Sequence, residues 1–95
     1  MTFYADAESG ARVQDPTRGD LLDLIDDLDS TGNTFIVVHP PVDDADWFIS
    51  VSKKVGAFGG YELHRHDPDT TEDIKTTAAA PNTIADDVLD WVNRR

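Results

Sequence analysis

Trp47-Phe48-Ile49-Ser50-Val51-Ser52-Lys53 and Tyr61-Glu62-Leu63-His64-Arg65-His66, joined by the glycine-bearing residues 54–60, are the stretch whose reading decides the fold. Both arms are rich in aromatic and β-branched residues, and the connection has the composition of a β-hairpin with a longer loop. Side chains alternate across a strand, so Trp47, Ile49 and Val51 share one face of the first arm, opposite Phe48, Ser50 and Ser52. In the second arm Tyr61, Leu63 and Arg65 fall together, opposite Glu62, His64 and His66. The apolar set is expected under helices, and the Glu62, His64, His66 set toward solvent or a partner.

Upstream, Thr34-Phe35-Ile36-Val37-Val38-His39 is apolar on both alternating faces, which predicts an interior strand near the sheet centre, covered on both sides. Residues 40–46 begin Pro-Pro and carry Asp43, Asp44 and Asp46, so they read as a solvated loop. Thr17-Arg18-Gly19-Asp20 has capping-box spacing ahead of a helical stripe of Leu21, Leu24, Ile25 and Leu28, with Leu22 at its margin. Asp20, Asp23, Asp26 and Asp27 fill the opposite face, and Ser30-Thr31-Gly32-Asn33 supplies the stop. Before the helix, two short strands flank Glu8-Ser9-Gly10, and Asp15-Pro16 ends the second.

Downstream, Asp67-Pro68-Asp69-Thr70-Thr71 reads as a turn and residues 73–77 as a short edge strand. Pro81-Asn82-Thr83 opens a closing helix, with Thr83 and Asp86 at capping-box spacing. Ile84, Ala85, Val88, Trp91 and Val92 form its buried stripe, with Leu89 at the margin. Asp86, Asp87 and Asp90 point outward, and Arg94 and Arg95 complement the helix dipole. The order ββαβββ(β)α predicts one α+β domain over residues 1–95: a mainly antiparallel sheet of five or six strands with two helices on one face.

The 95 residues, 39% of them apolar, suffice for one core, and the absence of cysteine excludes disulfides and a thiolate nucleophile. Neither a signal peptide nor an apolar run of about 20 residues is present, so the expectation is a soluble cytoplasmic protein. Nineteen acidic residues against eight basic ones give a net charge of −11, which disfavours nucleic acid and anionic membranes as partners. The same acidity is also what a compositional bias toward aspartate produces.

His64-x-His66 places two imidazoles on one strand face beside Glu62, a geometry that can chelate a metal. No third ligand stands at a diagnostic spacing, so a solvated sheet face is the preferred reading and no metal or other cofactor is expected. Adjacent carboxylates such as Asp26-Asp27 and Asp43-Asp44 read as surface charge, and neither a nucleophile elbow nor a phosphate loop occurs. The chain is therefore not expected to be an enzyme. Phe58 and Val55 at the hairpin tip either anchor a partner or fold back on the core.

The order Asp-Trp-Phe-Ile-x-Val, Gly-Gly-Tyr-Glu-Leu-x-x-Arg, a threonine-bearing segment and a helix ending Val88-Leu89-Asp90-Trp91-Val92 resembles the Imm1-like group of actinobacterial immunity proteins. Gly59, Gly60, Tyr61, Glu62, Arg65 and Trp91 carry the similarity, which spans residues 34–91; the His-Arg-His run is not part of it. The resemblance implies a non-enzymatic inhibitor that binds a cognate toxin domain, such as a nuclease or deaminase with a basic groove. The charge suits such a partner. Contact candidates are Asp20, Asp23, Asp26 and Asp27, the loop acids Asp43, Asp44 and Asp46, Phe58, and the Glu62, His64, His66 face. The alternative is a small interaction module or homodimer without toxin function.

Overall fold

The hairpin forms as the alternation requires. In a computed structural model describing residues 2–41, 46–53 and 60–95, β4 (Phe48–Lys53) pairs antiparallel with β5 (Tyr61–Asp67), Val51 opposite Leu63 and Phe48 opposite His66. The hairpin connection, including Val55 and Phe58, lies outside the described residues except at Gly60, as do Asp43 and Asp44. Four further strands complete the sheet: β1 (Tyr4–Ala7), β2 (Arg12–Gln14), β3 (Phe35–His39) and β6 (Glu72–Ala78). The order is β2-β1-β3-β4-β5-β6, antiparallel throughout. Helices α1 (Arg18–Asp26) and α2 (Pro81–Asn93) give the α+β architecture expected from the sequence.

Both helices pack on one face. Ala5, Ala7, Ile36, Val38, Ile49, Val51, Tyr61 and Leu63 point from the sheet into a core with Leu21, Ile25, Ile84, Ala85, Val88, Trp91 and Val92. Burial of these side chains supplies the main driving force, each valine, leucine and isoleucine contributing about 1.5–3 kcal/mol relative to exposure. Trp47 meets Trp91 edge-on, with centroids 5.8 Å apart, and so joins the start of the hairpin to α2.

The α1 capping box is complete: Thr17 Oγ1 accepts from the Asp20 N–H at 3.2 Å, and Asp20 Oδ2 accepts from the Thr17 N–H at 3.0 Å. Asp27 is the C-cap, so Leu28 is buried just beyond the helix rather than on it. Asp29 then shapes the turn, its Oδ1 accepting from the backbone N–H groups of Thr31, Gly32 and Asn33. Gly60 enters β5 where only glycine fits comfortably, since a Cβ there would lie 3.1 Å from the Ala78 carbonyl oxygen.

Three expectations are corrected. β3 lies third from one edge of the sheet, yet only one of its faces is covered: Ile36 and Val38 are fully buried, while Phe35, Val37 and His39 are half-buried on the face opposite the helices. Both α1 and α2 pack on the other face, so neither covers these residues. The Thr83–Asp86 capping box does not form, because Pro81, with fixed φ and no N–H to satisfy, starts α2 behind the N-cap Ala80. Asp86 instead accepts from Arg18 Nε at 2.7 Å. Strand β6 spans seven residues rather than five and runs beyond the helix layer, leaving Ile74 46% exposed. Arg94 and Arg95 sit at the C-terminal end of α2 as expected, Arg94 Nε donating to the Asp90 carbonyl oxygen and Arg95 Nη1 to that of Trp91, and Arg95 also reaches the β5–β6 turn.

Candidate functional site

The open face of the sheet collects the side chains that carry chemistry. Strand pairing sets Tyr4 opposite His39 and Phe48 opposite His66, which is opposite Asp73. The next rung places Asp6 opposite Val37, Val37 opposite Ser50, and Ser50 opposite His64. The face is thus a strip of aromatic and imidazole rings flanked by carboxylates.

Asp6 organises one end. Its carboxylate accepts from Arg12 Nε at 2.7 Å and Nη2 at 3.1 Å, and His39 Nε2 lies 2.6 Å away. The Arg12 hydrogen bond, outweighing partial desolvation and aided by His39, holds Asp6 down to about 2. His39 Nδ1 faces the Pro40 carbonyl oxygen at 2.8 Å, and the ring leans on Tyr4 with centroids 6.1 Å apart. This end is a closed network in which each charge has a partner.

The other end is built on the hairpin. Phe48 meets the edge of His64 and stacks on His66, each centroid 5.1 Å away, so one phenyl ring orients both imidazoles. Asp73 stands beside them on β6, its Oδ1 2.5 Å from His64 Nε2 and 3.9 Å from His66 Nδ1. The His64 hydrogen bond holds the Asp73 carboxyl below its ordinary value of 3.8. Ligand atoms from His64, His66 and Asp73 all lie within 4.8 Å of one another.

Glu62, His64 and His66 do share the face expected of them, half-buried and opposite the helices. Asp23, Asp26 and Asp27 are exposed on the helix layer, on the other side of the sheet, and Asp46 is exposed before the hairpin. The proposed contact residues therefore belong to separate surfaces. Asp20 is committed to the capping box. Asp43, Asp44 and Phe58 lie outside the described residues. Sequence reasoning missed Asp73 and Asp6, because alternation gives a residue's face but not its neighbour across the ladder. The four-residue turn between Asp67 and Glu72 was the available signal, since it sets the β5–β6 register.

No helix among the described residues is long and apolar enough to cross a membrane. In comparison with known proteins, no protein-family model, no curated protein and no solved structure matches the chain.

Proposed function

We propose that this chain is a non-enzymatic inhibitor that captures a basic protein partner through its helix layer. The toxin domain implied by the resemblance in residues 34–91 is the proposed partner class. The observation that carries the proposal is the adjacency of the two helices, tied by Arg18 to Asp86 at 2.7 Å. Two acidic faces distant in sequence become one surface, where Asp20, Asp23, Asp26, Asp27, Asp86, Asp87 and Asp90 outnumber Arg18 and Arg94. Such a surface, on a chain of net charge −11, steers association with a basic groove.

The test is to read the neighbouring open reading frames for a toxin domain, measure binding to it, and then follow association rate against ionic strength. Steering predicts a rate that falls about tenfold or more between low and high salt, and a comparable loss in the Asp23→Lys/Asp26→Lys/Asp27→Lys variant. A complex indifferent to both changes overturns the electrostatic reading, and no complex overturns the inhibitor reading.

A second reading is a homodimer through the sheet face opposite α1 and α2, favoured by half-buried Phe35, Val37 and Phe48 on a side that no helix among the described residues covers. Sedimentation equilibrium decides it: a dimer dissociated by Val37→Lys supports it, and a monomer at high concentration removes it.

A further inference from the structure

We propose that His64, His66 and Asp73 bind one divalent late-transition-metal cation of the zinc, nickel and cobalt class, independently of any protein partner. Two imidazoles and a carboxylate are a donor set for these metals, rather than for magnesium or calcium, which prefer oxygen ligands throughout. The backbone delivers the set. His64 and His66 are two residues apart on β5 and so project from one face, while the β5–β6 register puts Asp73 directly across from His66.

The distances suit a tetrahedral ion after small side-chain movements. Ligand atoms about 2.0–2.1 Å from zinc lie roughly 3.4 Å from one another. Asp73 Oδ1 is 2.5 Å from His64 Nε2 and 3.9 Å from His66 Nδ1, so the two separations bracket that spacing. Asp73, whose side chain is 63% exposed, can shift freely, and the two imidazoles, with centroids 6.3 Å apart, close on the ion by small side-chain rotations. Both imidazoles are held by Phe48, which reduces the conformational entropy lost when a cation is bound.

The surrounding charge is mixed. Glu62 shares the face two residues from His64 and favours a cation, whereas Lys75 stands across from His64 and opposes one. Lys75 is exposed, and its flexible stem lets the ammonium turn into water. Three protein ligands leave the remaining coordination positions to water. The Asp6, His39 and Arg12 cluster, by contrast, already carries its own guanidinium cation and offers one imidazole.

The test is calorimetric titration of the untagged chain with Zn²⁺, Ni²⁺, Co²⁺ and Mg²⁺ at pH 7.5. The site predicts one equivalent of each transition metal bound in the micromolar range and no Mg²⁺ uptake at that concentration. His64→Ala, His66→Ala and Asp73→Ala should each weaken binding by about tenfold or more, the loss characteristic of disturbing a metal's ligand environment. Asp73→Asn, close in shape, should do so while leaving the far-ultraviolet circular dichroism unchanged, and His39→Ala should bind as the unsubstituted chain does. No transition-metal binding up to millimolar concentration, equal affinity in the three ligand variants, or dependence on His39 instead would overturn the proposal.

Discussion

The guanidinium of Arg95 lies over the indole of Trp91, 3.4 Å from the ring centroid, and from there pairs with two carboxylates of the β5–β6 turn. Its Nη2 donates to Glu72 Oε1 at 2.8 Å, the same oxygen that accepts from Trp91 Nε1 at 2.9 Å. Its Nε stands 3.1 Å from Asp67 Oδ2, near enough for charge attraction but outside hydrogen-bond geometry. Asp67 is the one buried charged residue among those described, at 4% exposure. The cluster fastens the hairpin's second arm to α2.

Arg95→Met should therefore cost about 3 kcal/mol, because it strands a buried carboxylate. Adding Asp67→Asn removes that charge while keeping the oxygen that accepts from the Asp69 N–H at 3.0 Å, and should recover much of the loss. A double-mutant cycle from urea unfolding measures the coupling. A cost under about 0.5 kcal/mol for Arg95→Met would mean the pair behaves as an exposed one.

Asp29 should contribute acid-sensitive stability. Backbone N–H groups of Gly32, Thr31 and Asn33 lower its carboxyl from 3.8 to about 2 in the folded chain. A depressed carboxyl favours the folded state above its unfolded value and loses that contribution as pH falls toward 2. The stability difference between the unsubstituted chain and Asp29→Asn should be constant near neutrality, shrink below about pH 4 and level off only below about pH 2. Urea midpoints across that range provide the measurement, and a pH-independent difference would refute the assignment.

Thr71 carries positive φ, 57°, although it is β-branched. A side chain branched at Cβ crowds the backbone there, so Thr71→Asn should stabilise the protein by about 1 kcal/mol. Asp15 has φ of 47° but earns its position, since its Oδ1 accepts from the Phe3 N–H at 3.1 Å. Asp15→Gly should accordingly destabilise. Thermal unfolding of the two variants should show opposite shifts.

What the sequence determined by itself was the kind and face of each element. The alternation in residues 47–53 and 61–66, the Thr17–Asp20 capping box and the Ile84, Ala85, Val88, Trp91, Val92 stripe are local patterns, legible because a residue's nearest neighbours dictate them. Local signals were weaker where two of them competed: Pro81 started α2 ahead of the Thr83 cap. The paired apolar faces of β3 could not reveal that helices cover only one side. Tertiary structure alone decided which groups meet. Strand β1 lies beside β3, bringing Asp6 to His39, and the β5–β6 register brings Asp73 to His64 and His66. It also set the acidic helices and the imidazole face on opposite sides of the sheet. Pairing across a ladder depends on the packing of the whole sheet and on turn length, so it is not written in the residues that end up touching.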